Sequence, residues 1–419
     1  MSYSPLELET HQLANGLEIA VHSDPAAPGV AVNLWYEVGS FDEDPERTGL
    51  AHLFEHLMFA GSANVGPSEH MALIEQVGGT VNATTATDRT NYFETVPPGA
   101  LELALWLEAD RLGSLDLQQA TLDAQRNVVS EEYRQRYENR PYSDALHLLY
   151  AQHFPAGHPY AQLPIGDMDQ LAATSVAEVQ AFFDRWYTAS NARLVLAGAV
   201  QPTKAFELVE QHFGPLPRRA KPAHQPCPDT SLPPGWHSVH RQVPHELVYL
   251  SWPAPPTAAE QFPALELLLD LLTDGQASLL HRRLVRQAGI ANNVYGMLLP
   301  HHRGRGIAAI IARPAAGVSP QQLVAAIRAE IEQVTAPSEL TADLKRAIAQ
   351  YERSFLAQLA TVAGRADAIN DAWLTYGAPE KLNTVLPNLL SLTADDVAAA
   401  AIPLTGEPHV LHYLPQEPA

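Results

Sequence analysis

The chain has 419 residues, 46% of them apolar, which is long enough for two or more hydrophobic cores. It carries 26 Lys and Arg against 47 Asp and Glu, so its net charge is −21, and no basic cluster is visible. This balance argues against nucleic acids or anionic membranes as main partners, because both recruit clustered cations.

The first half of the chain opens with strand-like segments and then turns helical. Apolar and β-branched residues predict strands over 16–22 and 30–36. The half closes with the apolar run 193–200, which predicts a further strand. Between these strands, helical periodicity predicts helices near 49–60, 68–77, 99–112, 117–139, 143–153 and 176–187.

A Pro-rich stretch at 214–235 separates this half from the next and predicts a semi-extended linker. The second half repeats the order: a strand-like segment from 236, a strongly apolar helix ending at Gly275, further helices and a last strand. We therefore predict an N-terminal domain at 1–213 and a C-terminal domain at 236–419, related by duplication. Each should be an α+β fold with helices on one face of a mainly antiparallel sheet.

The single cysteine, Cys227, excludes an internal disulfide and a thiolate cage for a metal. The N-terminal segment shows no basic stretch followed by an apolar run. No apolar run in the sequence approaches the roughly 18 residues that span a bilayer. We therefore expect a cytoplasmic protein.

One apolar helical segment, at 49–61, is interrupted by three polar residues, His52, Glu55 and His56. The two histidines are four residues apart, so both imidazoles project from one face of a helix and can reach one metal ion. The pattern H-x-x-E-H matches the inverted zinc-peptidase motif, in which the intervening carboxylate handles the proton of a water molecule. The alternative is a buried, hydrogen-bonded His/Glu cluster without a metal.

A third ligand is available on the helix predicted over 117–139. We expect Val128 and Val129 to mark its buried side, where Glu132 also falls, and Glu131 to be solvated. Two imidazoles and a carboxylate favour Zn²⁺ over Mn²⁺ or Co²⁺, with one coordination position left open.

These residues resemble the signature of the M16 family of metallopeptidases, the group of pitrilysin, insulysin and the mitochondrial processing peptidase. The resemblance implies that His52, His56 and Glu132 bind one zinc ion per chain and that Glu55 is the catalytic base. It also implies two similar αβ domains that form half of a clamshell around a peptide chamber. The length resembles the short-subunit branch, in which two such chains complete the chamber.

A second match covers the segment 78–92, which resembles the family's edge strand. The resemblance implies that Asn82 and Ala83 pair with the backbone of an extended substrate by adding a strand to the sheet. One position departs from the family pattern. Gln125 stands seven residues before the third ligand, where a second glutamate is common, so it supports the site without a charge.

The C-terminal half departs further from the resemblance. The family's short branch carries an Arg and a Tyr, thirteen residues apart, that hold the substrate, but the ungapped match places Leu279 and Asn292 there. Arg282 and Tyr295 have that spacing only in a register shifted by three. We therefore expect the catalytic half of a heterodimer, whose M16-like partner supplies the Arg and Tyr. A self-sufficient homodimer and a non-catalytic structural subunit are the alternatives.

Overall fold

The computed structural model describes residues 4–416, which form two sheets flanked by helices. The strands are β1 Glu9–Gln12, β2 Glu18–Ser23, β3 Val30–Tyr36, β4 Thr80–Thr85, β5 Thr90–Val96, β6 Ala192–Gly198, β7 Trp236–Arg241, β8 Leu247–Ala254, β9 Ala291–Leu299, β10 Gly306–Pro314 and β11 His409–Pro415.

Fourteen α-helices lie between these strands in the described part of the chain. They are α1 Leu50–Leu57, α2 Glu69–Gln76, α3 Leu101–Ser114, α4 Gln119–Tyr133, α5 Ala145–His153, α6 Met168–Ala173, α7 Val176–Trp186, α8 Pro202–Phe213, α9 Phe262–Thr273, α10 Pro320–Gln333, α11 Pro337–Leu359, α12 Val362–Tyr376, α13 Leu382–Leu390 and α14 Ala394–Ala401.

The first sheet has the strand order β1-β2-β6-β3-β5-β4. Strands β2 and β6 are parallel, and every other neighbouring pair is antiparallel. All seven residues of β3 are buried, which requires cover on both faces because successive side chains point to opposite sides. Besides the predicted helical layer, α12 covers β3 and β6, where Asn370 Nδ2 donates to the Asn33 carbonyl oxygen at 3.0 Å.

The second sheet repeats this topology. Its order is β7-β11-β8-β10-β9, with β7 and β11 parallel and the other pairs antiparallel. Apart from β1, each strand of the first sheet therefore has a counterpart of the same rank and direction. The predicted duplication and the α+β class with two similar domains are confirmed, and β4 and β9 occupy equivalent edges.

The core of the second sheet alternates between its two faces. Val248 and Leu250 join a large cluster with the apolar side of α9. Leu247 and Tyr249, one residue out of phase, pack instead with Leu149 of α5. The period of two along β8 thus divides its side chains between the two covering layers.

Two segments of the chain pack outside their own half of the sequence. The first compact unit comprises the described residues up to Arg134 together with 162–226 and 356–384. The second comprises 135–161, 227–355 and the described residues from Val385. Helix α5 therefore belongs to the second unit and α12 to the first. The domain boundaries predicted at 213 and 236 would place α5 in the N-terminal domain and α12 in the C-terminal domain. Hydrophobic periodicity shows that a helix is amphipathic but not which sheet it covers.

The predicted linker contains no helix or strand over residues 217–235. Part of it lies against the first unit, where the His224 ring stacks on Trp186 and its Nδ1 lies 2.7 Å from an Asp42 carboxylate oxygen.

Between residues 4 and 416, no single helix has both the length and the apolar composition to cross a bilayer. One pair of segments, 379–390 and 394–405, reaches that threshold only when its two members, bent by 96°, are taken together.

Candidate metal centre

The start of α1 is fixed by a glycine and a buried carboxylate. Gly49 has a φ of +89°, and a Cβ there would lie 2.8 Å from the carbonyl oxygen of Ile165, so only glycine fits. The backbone N–H groups of Gly49 and Ala51 donate to the two oxygens of Glu43 at 2.9 and 2.7 Å. Burial raises the pKa of the Glu43 carboxyl to about 8, while these backbone hydrogen bonds favour its charged form.

The far end of α1 is held through its carbonyl groups. The Tyr92 hydroxyl donates to the Phe54 carbonyl oxygen at 3.0 Å, and an Arg111 N–H group lies 3.5 Å from the Met58 carbonyl oxygen. The Arg111 guanidinium also lies over the rings of Phe59 and Tyr92, 4.7 and 4.4 Å from their centres. With both ends held, α1 projects its polar side chains in fixed directions.

Arg111 belongs to a buried network with Glu108, Glu94 and His70. Two of its N–H groups donate to the Glu108 carboxylate, and His70 Nε2 lies 2.6 Å from Glu94 Oε1. Burial raises the pKa of both glutamates to about 7 and lowers the pKa of His70 to about 3. Although His70, Glu94 and Glu108 are close enough to hold a metal, Arg111 already neutralises Glu108. The group is therefore an ion-pair network behind α1.

The three predicted ligands come together on the other side of α1, next to α4. Nε2 of His52 lies 3.6 Å from one oxygen of Glu132, and Nε2 of His56 lies 3.3 Å from the other. Ligands of a tetrahedral zinc ion with bonds of about 2.0–2.1 Å are separated by about 3.3 Å. Burial and the neighbouring His52 lower the pKa of His56, which favours the neutral imidazole that a metal requires. The donor set and its spacing fit zinc.

Helix α4 presents Glu132 as predicted but is less buried than the sequence suggests. Val129 is fully buried and Glu131 is exposed, in agreement with the prediction. The expectation that Val128 faces the core is wrong, since its side chain is 49% exposed. One turn of a helix that buries only a narrow stripe cannot place both of two consecutive valines inside. Gln125 lies two turns before Glu132, half-buried, and its supporting role stays a prediction.

Glu55 points from α1 toward the edge strand β4. The Thr85 hydroxyl, at the end of β4, donates to Glu55 Oε2 at 2.7 Å. Asn82 and Ala83 lie in the middle of the same strand, opposite Phe93 and Tyr92 of β5. The N–H group of Ala83 donates to the Asn82 side-chain oxygen at 2.9 Å.

The two candidate pairs for the substrate-holding Arg and Tyr, Leu279/Asn292 and Arg282/Tyr295, lie in different surroundings in the second unit. Leu279 is fully buried in the core, where no ligand could reach it. Arg282 donates to both carboxylate oxygens of Asp343 at 2.8 and 2.5 Å. Tyr295 lies on β9 with 41% of its surface exposed, and the Asn292 amide donates to a backbone carbonyl.

The groove of the second unit that corresponds to the metal centre holds a different set of side chains. A cavity of about 470 Å³ lies between α9 and β9, lined among others by Glu266, Asp270 and Asp274. Among residues 4–416, both groups of His and acidic side chains close enough to hold a metal are in the first unit. The repeated fold therefore carries the ligand set once.

Four residues that support the centre were not identified from the sequence: Glu43, Thr85, Tyr92 and Arg111. Each acts on α1 from another segment of the chain, so no local spacing relates it to His52 or His56. Thr85 and Tyr92 both lie in the segment 78–92 that resembles the family's edge strand, but that resemblance does not relate either residue to α1.

Comparison with known proteins places both halves of the chain in one group. Residues 18–162 match the family model described as insulinase, peptidase family M16. Residues 174–351 match the model described as the peptidase M16 inactive domain. All four residues of the centre, His52, Glu55, His56 and Glu132, lie within the first match.

Three individual proteins show how far the similarity extends. The zinc protease PqqE of Helicobacter pylori is 32% identical over 303 residues, covering 70% of this chain and 67% of that protein. The mitochondrial-processing peptidase subunit beta of Lentinula edodes is 26% identical over 216 residues, covering 51% and 46%. A crystal structure of a protease from Helicobacter pylori superposes with a TM-score of 0.88 at 25% identity, covering 99% of this chain and 100% of that one.

Proposed function

The chain belongs to the M16 peptidase family, and from this we propose that it is a zinc-dependent endopeptidase subunit. The observation that carries the proposal is the convergence of His52, His56 and Glu132, with Glu55 beside them on the same helix. Relatives named zinc proteases support the choice of metal. We propose one zinc ion per chain.

In the reaction, the two imidazoles and the Glu132 carboxylate would hold the metal. When bound, zinc supplies a Lewis acid that lowers the pKa of water and polarises a carbonyl group. Glu55 accepts the proton of the attacking water and delivers it to the leaving amine as the peptide bond breaks. The Thr85 hydroxyl donates to Oε2 of Glu55, so we assign the proton exchange to Oε1.

The substrate we propose is a short or unfolded peptide in an extended conformation. Strand β4 is an edge of its sheet, so its outward backbone groups are available to pair with another strand. Asn82 and Ala83 would make those contacts. Main-chain pairing selects for extended shape more than for sequence, which suits a closed chamber that admits peptides by size.

We further propose that the chain works as the catalytic half of a heterodimer with an M16-like subunit. Leu279, at one position where short-branch proteins carry the substrate-holding Arg, is a core residue. Arg282, the alternative, is already engaged by Asp343. A partner that bears a free Arg and Tyr would complete the chamber. The cytoplasmic location stays a prediction.

The test is zinc content and peptide cleavage by the purified chain, alone and with candidate M16-like partners, beside a Glu55→Gln variant. We expect about one zinc per chain, cleavage with a partner, and retention of zinc with a fall in kcat of about 10²–10⁴-fold in the variant. Cleavage by the chain alone would contradict the heterodimer. Absence of bound zinc, or full activity of the variant, would contradict the peptidase mechanism.

A further inference from the structure

Glu55 is a flexible side chain in a place where its direction matters. It has three rotatable bonds, and an unrestrained carboxylate samples several of their rotamers. Among the described residues, the hydrogen bond to its carboxylate comes from the Thr85 hydroxyl, at 2.7 Å to Oε2. A hydrogen bond to a charged acceptor is short and directional, so it can select one rotamer.

Thr85 can select that rotamer only if its own position is fixed, and the turn that follows it is firmly held. The Arg89 guanidinium donates to the Thr84 carbonyl oxygen and to Asn91 Oδ1, both at 3.0 Å. It also lies over the ring of Trp35, 4.9 Å from the ring centre. The N–H group of Ala86 closes the turn on the Arg89 carbonyl oxygen at 2.8 Å.

The same turn is clamped by the segment that precedes α1. The N–H group of Phe41 donates to the Thr87 carbonyl oxygen at 2.9 Å. A Cβ on Gly39 would lie 2.4 Å from the carbonyl oxygens of Ala86 and Thr87, so the two backbones are in direct contact. The end of β4 is thus tied to the segment that leads into α1.

We propose that Thr85 is a positioning residue that holds Glu55 in its working rotamer through the hydrogen bond to Oε2. The proposal rests on the proposed function for the role of Glu55 as the base. Because Thr85 is two residues from Ala83, the strand that would align the substrate also aims the base. Orientation of the proton acceptor and alignment of the scissile bond then depend on one rigid element, which is the geometric condition for fast proton transfer.

The experiment compares Thr85→Val, which keeps the shape but removes the hydroxyl, with Thr85→Ser, which retains it. We expect kcat of the Val variant to fall about 10-fold, with KM and zinc affinity within about twofold of wild type. The Ser variant should recover most of the loss. Thr95→Val is the matched control, since it makes the same change on the neighbouring strand β5 away from Glu55.

A second measurement does not depend on activity. A double-mutant cycle of Thr85→Val and Glu55→Ala, followed by urea unfolding of the full chain, should give a coupling of at least about threefold in the unfolding equilibrium constant. The Thr95 variant should show no coupling to Glu55. This reports the contact whether or not the chain cleaves peptides.

The outcomes separate the two proposals. If wild type fails to cleave under any pairing but the cycle shows coupling, the proposed function fails and the contact stands. If wild type cleaves and Thr85→Val retains its kcat, the positioning role is overturned. Equal losses in the Val and Ser variants, or in the Thr95 control, would also overturn it, because they would reflect packing and not the hydroxyl.

Discussion

The two units share one strand topology but differ in what their first apolar helix presents to the edge strand. In the first unit, α1 faces β4 and carries His52, Glu55 and His56. In the second, α9 faces β9 and is a leucine-rich core helix whose charged residues at the groove are acidic. The repeated fold supplies a groove in both places, whereas the chemistry depends on a few side chains in one.

The ionisable residues of the two helices have the same spacing. Glu266 and Asp270 are four residues apart on α9, as His52 and His56 are on α1, and both pairs lie at a groove beside an edge strand. Burial and the nearby Asp274 raise the pKa of Asp270 to about 6. The two grooves therefore carry different ionisable groups at the same helical spacing, and residues 174–351 match a model described as the peptidase M16 inactive domain.

The largest predicted effect separates the two grooves by their ligands. Glu132→Ala should abolish zinc binding and lower kcat/KM by about 10³-fold or more, since the metal contributes several kcal/mol to the transition state. Asp270→Ala, the change in the corresponding groove of the second unit, should leave zinc content and cleavage within about twofold. Metal analysis and a peptide assay measure both. A loss of zinc in the Asp270→Ala variant would contradict the prediction that only the groove of the first unit binds the metal.

The next prediction compares buried ion pairs in the two units. Arg111→Met should lower the free energy of unfolding by about 3–5 kcal/mol, because Glu108 and Glu94 would remain buried without their cation. Arg282→Met breaks a pair with Asp343 that is partly solvated, and it should cost about 1 kcal/mol or less. Urea titrations give both values.

A similar small cost for both variants would show that the network behind α1 is not more strongly coupled than a surface pair. A second change, Tyr92→Phe, serves as the milder control, because it removes one hydrogen bond to α1 and should cost about 1 kcal/mol. Its effect should lie between the two arginine variants.

A further prediction concerns acid stability. Burial, with a contribution from His409, lowers the pKa of His153 in the second unit to about 3. The unfolded state then binds a proton first, so stability is full above about pH 6.5 and falls as the pH decreases toward 3. In the first unit, burial also lowers the pKa of His70 to about 3, so protonation of this residue destabilises the fold in the same direction.

At pH 5.5 we expect His153 to reduce the free energy of unfolding by about 1–1.5 kcal/mol relative to pH 7.5. His153→Gln should remove that part of the pH dependence and should change little at pH 7.5 beyond its packing cost. Urea midpoints at the two pH values give the measurement. If the difference in unfolding free energy between the two pH values is unchanged in His153→Gln, the acid sensitivity comes from other residues.

The ligand set could be predicted from the sequence because its signals are local or fall at a helical spacing. His52 and His56 share one helix, and Glu132 follows from the face of α4 that it occupies. The edge position of β4 follows from the resemblance of residues 78–92 to the family's edge strand. The residues that support α1 could not be predicted from the sequence. Glu43, Arg111 and Tyr92 contact α1 from distant segments of the chain, and no periodic pattern relates them to it. Val128 was misassigned for a related reason: periodicity gives a face but not its width.

The exchange of α5 and α12 between the units has a consequence for the order in which the chain is made. Strands β3 and β6 are complete well before α12 leaves the ribosome, so the face they share stays uncovered during the intervening synthesis. At 5–20 residues per second, this interval lasts on the order of 10 to 40 seconds. The apolar face of the first sheet therefore stays exposed until most of the second unit has been synthesised. A protein truncated after the linker would never receive that helix.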